Sequence, residues 1–479
     1  MSLKQAATHS IKWSLVSQVG RQVMQFVTTA ILARLLSPSD FGLLGMATIV
    51  IRFIDLFKDL GTSSAVIQQK NLSDALVNSI FWVNVFFGFL GMVILFIFSP
   101  LIAEFYQEPR VTLVLKVLSL TFVISGISIL QKAILERNLA FNKLAKIELT
   151  AIVLGSIVGI TLALLEFGVW SLVYQTMTVV TVTTVLLLVA TRWKPKMIFS
   201  WSELQAVTGY SLNLTGFTIL NYLYRNADYL LIGKFLGSQA LGYYTLAYRL
   251  MLYPLQNISS VIGRVMFPVF SQIQDDDKRF GIAYLKVIST IALITFPMMV
   301  GLWALSEPFI LTLFGSQWQS VIWLLMILSP VGMVQSLQTT IGTIYRAKGR
   351  TDWMFRWSVA ETILIVIAFI IGLQWGIIGV ATAYAISVFV LAYPGFAIPF
   401  RLIHLKVFDL VVAVWQPLVA SLLMLGVILG VKFLLPTSLT NAWLLAILIP
   451  TGCIAYLLVS WLINRQQMQQ LLTMAGRNK

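Results

Sequence analysis

The sequence predicts an all-α polytopic membrane protein. About 14 transmembrane helices are expected, in two six-helix lobes related by a pseudo-two-fold axis along the membrane normal, plus two C-terminal helices. Three observations carry this prediction. The 479 residues are 58% apolar and only 11% charged, with a mean hydropathy of +0.88, far outside the range of globular chains. Apolar stretches of about 20 residues, the length that crosses roughly 30 Å of hydrocarbon, recur along the whole chain. A shift of 200 residues lays one part of the sequence over another.

The first six stretches fall at 11–33, 41–57, 77–98, 111–131, 147–165 and 168–190. Eight more follow at 206–232, 239–262, 284–305, 319–344, 357–374, 376–400, 408–433 and 440–463. The tight junctions LLEFGVW (164–170) and GLQWGIIG (372–379) read as hairpin turns from their Gly and aromatic content. The opening MSLKQAATHSIKWSL has no short apolar region followed by a small-residue cleavage site, so the first stretch is expected to stay as a helix. Domains are expected at 1–198 (first lobe), 199–404 (second lobe) and 405–479 (two added helices and a short cytoplasmic tail).

Charge orients the spans. Most of the 33 Lys and Arg lie in alternate loops, while the intervening loops and the span ends that border them hold only Arg34, Arg110, Lys116, Lys234 and Lys432. Cytoplasmic loops collect Lys and Arg, so both termini are placed in the cytoplasm. The basic runs RWKPK (192–196) and YRAKGR (345–350) read as topology signals before any ligand role. The net charge of +15 does not indicate nucleic acid, because the basic residues are scattered in short runs between apolar segments. One Cys (Cys453) and two His (His9 and His404) cannot build a disulfide framework or a His/Cys metal site, so no metal, cofactor or catalytic residue is expected.

The 200-residue shift sets ILARLLSPSDFGLLGMA (31–47) over LIGKFLGSQALGYYTLA (231–247), matching Leu36 with Leu236, Gly42 with Gly242 and Ala47 with Ala247. ERNLAFNK (136–143) and YRAKGRTD (345–352) occupy equivalent inside loops, and FGVW (167–170) corresponds to WGII (375–378). Spans 1–6 thus repeat as spans 7–12, and an even number of spans per repeat makes the repeats parallel. Architectures of this kind bind substrate between their lobes.

Ionisable side chains inside spans cost several kcal/mol unless they face a partner or a wet cavity. Those singled out are Arg21, Arg52, Asp55, Arg225, Asp228, Arg249 and Glu361, and all but Glu361 fall in the first two helices of a repeat. Arg21, Gln25 and Thr28 lie at i, i+4 and i+7 along one helix side, and Asn221, Arg225 and Asp228 have the same spacing 200 residues later. These stripes are expected to share a wet cavity. The plainer alternative pairs Arg52 with Asp55 and Arg225 with Asp228 at i, i+3 within each helix. That leaves Arg21 and Arg249 without an acidic residue one turn away on their own helices. Four Arg against two Asp give a formal excess of two positive charges, suited to a polyanion, and the guanidinium fork matches a phosphate oxygen pair. Glu361 reads first as a solvated helix end, with Asp55, Asp228 and Glu361 the titratable candidates for ion or proton coupling.

The chain resembles the polysaccharide flippases of the multidrug/oligosaccharidyl-lipid/polysaccharide (MOP) superfamily, specifically the Wzx type close to the colanic acid exporter. The stretches that carry the resemblance are MSLKQAATHSIKWS, ILARLLSPSDFGLLGMATIV, DLGTSSAVIQQK (59–70), FWVN (81–84), YYTLAYRL (243–250) and RVMFPVFSQIQDD (264–276), in order along nearly the whole chain. The resemblance implies a V-shaped, two-lobed transporter moving undecaprenyl-diphosphate-linked oligosaccharide units from the cytoplasmic to the periplasmic leaflet of the bacterial inner membrane. It also implies arginines of the early helices around the diphosphate. Arg21, Arg52, Arg225 and Arg249 are the candidates by type and helix, with Gln25, Thr28, Asn221, Tyr222, Tyr224 and Asn213 offered for sugar contacts. A polysaccharide polymerase and a chain-length regulator are the implied protein partners. Two other classes compete. A drug/cation antiporter of the same superfamily would favour buried carboxylates over an Arg excess. A membrane glycosyltransferase or polymerase would need a sizeable outside loop, whereas the longest here, SPLIAEFYQEPR (99–110), is about a dozen residues.

Overall fold

The computed structural model describes residues 3–58, 66–67, 69, 72–208, 222 and 225–465, with side chains placed outside 3–17, 205–208, 256–269 and 271. Every described element is helical. The chain divides into two compact units, Met1–Gly242 and Tyr243–Lys479.

The first unit holds α1 (Leu3–Leu35), α2 (Pro38–Asp55), α3 (Asp74–Tyr106), α4 (Arg110–Gly126), α5 (Ile129–Arg137), α6 (Phe141–Leu164), α7 (Val169–Thr191) and α8 (Trp201–Thr208). It also includes the start of α9 (Ala227–Gln272), which breaks at Gly237, where φ is 84°. The second unit contains the rest of α9, then α10 (Asp277–Ala304), α11 (Ser306–Leu313), α12 (Ser320–Gln338), α13 (Ile341–Ala347), α14 (Thr351–Gly372), α15 (Gly376–Phe400), α16 (Val407–Leu434) and α17 (Asn441–Ile463). Expected span 206–232 lies largely outside the described residues.

Local chemistry sets the boundaries. At the start of α2, Ser37 and Asp40 form a capping box: the Ser37 N–H donates to Asp40 Oδ2 at 3.0 Å and the Asp40 N–H to Ser37 Oγ at 3.3 Å, with Pro38 at the first helical position. Ser73 accepts from the Leu76 N–H at 3.0 Å to begin α3, and Asp276 accepts from the Arg279 N–H at 2.9 Å to begin α10. The two sequence-predicted hairpins are present, turning at Gly168 and Gly376, both with positive φ.

Eight segments among the described residues are long and apolar enough to cross a membrane, or nine if α4 and α5, bent by 41° at their junction, count as one span. One of the eight, Thr351–Ile403, contains both α14 and α15, which pack side by side. Helices α1, α2 and α9, carriers of Arg21, Arg52 and Arg249, are not among the eight. In the first unit α3 packs on α4, α4 on α7 and α6 on α7; in the second, α10 packs on α12, α12 on α15 and α14 on α15. The same order of neighbours therefore recurs, in keeping with the repeat in the sequence. Outward-facing positions of both units stay apolar and exposed, among them Phe96, Ile97, Phe389 and Val390, as a hydrocarbon solvent demands.

The matched glycines of the repeat meet inside the first unit. A Cβ on Gly42 would overlap the Ser238 carbonyl, and a Cβ on Gly242 would overlap the Pro38 carbonyl while lying 3.2 Å from the Gly42 nitrogen. Pro38 and Ser238 are themselves equivalent under the 200-residue shift. The contact is therefore reciprocal, as at a two-fold interface, and close backbone approach through small residues is a common way for helices to associate in lipid. Replacing Gly42 with Ala is expected to cost about 1–3 kcal/mol through overpacking. Gly301, whose added Cβ would meet nothing within 4 Å, is the control: Gly301→Ala is expected to stabilise by roughly 0.5–1 kcal/mol. Thermal unfolding of the two variants in detergent checks the difference in sign.

Candidate substrate-binding site

The candidate residues of the first unit sort into paired and unpaired charges. Arg21 on α1 forms an ion pair with Glu148 on α6. Seven residues further along α1, buried Thr28 donates to Ser156 Oγ on α6 at 2.7 Å. Arg21 and Thr28 thus turn to a neighbouring helix of their own unit, whereas Gln25, between them, is exposed. The positive excess counted from the sequence shrinks once Glu148 is included.

On α2, the i, i+3 pairing of Arg52 with Asp55 is not formed. Asp55 instead accepts from Lys58 Nζ at 2.7 Å, and the same ammonium donates to Ser125 Oγ at 2.9 Å with its charge 5.7 Å from the Phe122 ring centre. The Lys58 side chain is only 14% exposed, so its charge is spent locally. Arg52 is exposed and makes no ion pair among the described residues. Beside it stands Tyr222, whose hydroxyl donates to the Ile49 carbonyl at 2.7 Å and whose ring lies 6.0 Å from that of Phe53, within electrostatic reach of both Arg52 and Asp55.

Arg225 is exposed one turn beyond Tyr222. No ion pair joins it to Asp228 among the described residues; Asp228 is 5% exposed, and its carboxylate accepts from the Tyr229 N–H at 2.9 Å. Both in-helix pairings offered by spacing are thereby replaced. Asn213, Asn221 and Tyr224 lie outside the described residues. In the second unit, Arg249 is exposed on α9, next to a polar group in which Gln335 donates to the Tyr384 hydroxyl and the Tyr248 and Tyr384 hydroxyls are 3.4 Å apart. Glu361, half-buried on α14, interacts with Trp357 one turn earlier and lies near Tyr345, so it is not a freely solvated helix end.

A second polar cluster surrounds the reciprocal glycine contact. Glu108 and Arg110 form a bidentate pair at 2.8 and 2.9 Å, Arg110 also donates to Ser39 Oγ at 3.3 Å, and Ser238 Oγ donates to Glu108 at 3.3 Å. Ser39 and Ser238 close the ring with hydroxyls 2.9 Å apart. The Arg110 hydrogen bonds hold the Glu108 carboxyl below its usual range, against the opposing effect of partial burial.

Residues 31–323 match the model of a family described as polysaccharide biosynthesis protein. The chain belongs to this family. Among its relatives, the lipopolysaccharide biosynthesis protein WzxC of Escherichia coli (strain K12) is 30% identical over 440 residues, covering 88% of this chain and 87% of that protein. The succinoglycan biosynthesis transport protein ExoT of Rhizobium meliloti (strain 1021) is 29% identical, covering 98% and 96%. Among solved structures, the lipid II flippase MurJ in an inward closed conformation matches with a TM-score of 0.75 at 20% identity, over 96% of this chain and all of that one. An inward-facing MATE family multidrug transporter of the MOP superfamily matches with a TM-score of 0.63 at 17% identity, over 80% and 94%. At such identities these two likenesses show the fold alone.

For this polysaccharide biosynthesis family member, sequence reasoning missed Glu148, Lys58 and Ser156 as partners of the candidate residues. Glu148 lies just inside an expected span, and testing it as an intramembrane charge would have supplied the signal. Arg21→Gln and Glu148→Gln are each expected to destabilise the protein, and the double variant by less than their sum, with a coupling of about 0.5–1.5 kcal/mol. Equilibrium unfolding of the four proteins in one detergent measures that cycle. At the Glu108–Arg110 cluster, a lowered Glu108 pKa means stabilisation that is complete above the ordinary value of 4.5 and is lost as pH falls through the lower folded value. Thermal unfolding from pH 7 down to pH 3 is expected to steepen in its decline below 4.5, and less so for Glu108→Gln.

Proposed function

We propose that this protein is a flippase that carries undecaprenyl-diphosphate-linked oligosaccharide units from the cytoplasmic to the periplasmic leaflet for surface polysaccharide export. The observation that carries the reading is the contrast within one unit: Arg21 and Lys58 are answered by carboxylates, while Arg52 and Arg225 stay exposed, in a family of polysaccharide biosynthesis proteins. Such guanidiniums can bind two phosphate oxygens at once and offset the loss of hydration as the headgroup leaves water.

In this reading fourteen spans form two six-helix lobes and an added pair, with both termini cytoplasmic, in the bacterial inner membrane. The diphosphate and first sugars enter a cationic cavity from the inside, the polyprenyl tail remains in lipid, and the lobes rock to open outward. Arg249 serves the second lobe, and Gln25 and Tyr222 contact sugar. The protein breaks no covalent bond. A polymerase and a chain-length regulator use the delivered unit. Drug/cation antiport fits less well, because Asp55 and Glu148 are already neutralised by Lys58 and Arg21.

Arg52→Gln and Arg225→Gln are each expected to reduce translocation at least about tenfold, the loss of one charge-assisted hydrogen bond to the transported anion, without loss of membrane insertion. The assay is polymer export in a deletion strain complemented with each variant, with membrane levels checked by immunoblot. Normal export by both variants would overturn the reading.

A further inference from the structure

Unanswered positive charge gathers at the end of the first unit where α3 and α6 begin and α7 stops. Lys143 and Lys146 stand exposed on the first two turns of α6, and Arg192 and Lys194 are exposed just after α7. Leu144 and Ile147 of α6 pack with Leu187 and Ala190 of α7, which brings the two pairs of cations to the same end. None of the four forms an ion pair among the described residues, because nearby carboxylates are already engaged: Glu136 with Lys132 at 4.0 Å, Glu148 with Arg21, and Asp74 with Lys196 at 2.6 Å.

Residues 192–200 are a pinned strap. Arg192 has a φ of 53°, which turns the chain out of α7. The Lys196 N–H donates to Asn78 Oδ1 at 2.6 Å, the Trp82 Nε1–H donates to the Lys196 carbonyl at 3.0 Å, and the Ser200 N–H donates to Ser79 Oγ at 2.8 Å. Asn78 and Ser79 are buried, so α3 commits two desolvated side chains to holding this segment. The Trp193 ring packs 5.4 Å from that of Phe81. Yet the strap turns apolar surface outward: Met197, Phe199 and Trp201 are 88%, 57% and 63% exposed. Membrane topology accounts for basic residues in a loop. It does not account for three apolar side chains held out beside them.

The spans fix the level at which the strap lies. From the turn at Gly168, the 23 residues of α7 rise about 35 Å, slightly more than the roughly 30 Å of hydrocarbon. Arg192 and the strap therefore stand at the lipid headgroups, where Lys and Arg meet phosphate and a Trp ring sits between headgroup and acyl chain. An acidic protein surface would answer the cations and leave the apolar side chains uncovered, whereas an anionic leaflet answers both. We infer that this end of the first unit is a docking site for anionic phospholipid: Lys143, Lys146, Arg192 and Lys194 bind headgroup phosphates, and Met197, Phe199 and Trp201 insert among the first carbons of the acyl chains. The inference is independent of what the protein transports.

The test places a bimane fluorophore on the full-length protein at Met197→Cys, with the exposed Cys453 replaced by Ser, in phosphatidylcholine liposomes. A small fraction of phosphatidylglycerol or of phosphatidylcholine, carrying a nitroxide near the top of one acyl chain, quenches the dye when it lies beside the strap. Nitroxide phosphatidylglycerol is expected to quench at a lower fraction than nitroxide phosphatidylcholine. Arg192→Gln and Lys194→Gln are each expected to lower that preference about fivefold, the attraction carried by one cation at an anionic surface. Lys286→Gln with Arg356→Gln, which removes two exposed charges from the second unit, is expected to leave it unchanged. Gel filtration checks that each variant is folded. Equal quenching by the two lipids, quenching by neither, or a preference unchanged in both strap variants overturns the proposal. Displacement of the nitroxide phosphatidylglycerol by undecaprenyl diphosphate but not by unlabelled phosphatidylglycerol assigns the cations to the transported lipid and also overturns it.

Discussion

An ionised side chain in hydrocarbon has to be answered, and in the first unit that requirement decides what each charge is for. Arg21 is answered by Glu148 across two helices, and Asp55 by Lys58, whose ammonium also reaches Ser125. These pairs hold helices together and leave little field for anything else. Arg52 and Arg225 are exposed instead. Arg52 stands in the last turn of α2, and neither it nor Arg225 is held by an ion pair among the described residues, so packing gives no account of these two charges. Under the proposed function these are the guanidiniums left open to a phosphate.

The reciprocal contact of Gly42 with Ser238 and of Gly242 with Pro38 ties the sequence repeat to packing. Helix α2 begins at a capping box and Pro38, which fix its first turn rigidly, and the matched segment of α9 approaches that turn until backbone meets backbone. Larger side chains would hold the helices apart and would also open the ring of Ser39, Ser238, Glu108 and Arg110. The hydroxyls and the ion pair satisfy one another beside the start of α2, so the polar ring and the glycine contact stabilise the same end of that helix.

Hydropathy made the helical fold legible, because a segment of about 20 apolar residues has few other solutions in lipid, and FGVW and QWGII announced their turns. The identity of ion-pair partners was less legible, for a specific reason. Asp55 lies three residues after Arg52 and three before Lys58, so spacing alone cannot choose between them; the Ser125 hydroxyl and the Phe122 ring of α4 decide in favour of Lys58. In the same way Arg21 could not be matched to Glu148 from helix periodicity, since 127 positions separate them and only the packing of α1 on α6 brings them together. Of the stripe Arg21, Gln25 and Thr28, the first and last turn to α6 while Gln25 is exposed; periodicity says which residues share a side and not what that side meets.

Under the proposed function, a carrier that bound the diphosphate through many paired, rigid charges would hold it too firmly to release, whereas two exposed guanidiniums would give directional hydrogen bonds that water can replace on the far side. The answered charges, Arg21 and Lys58, would then serve packing, and the exposed ones, Arg52 and Arg225, the transported anion.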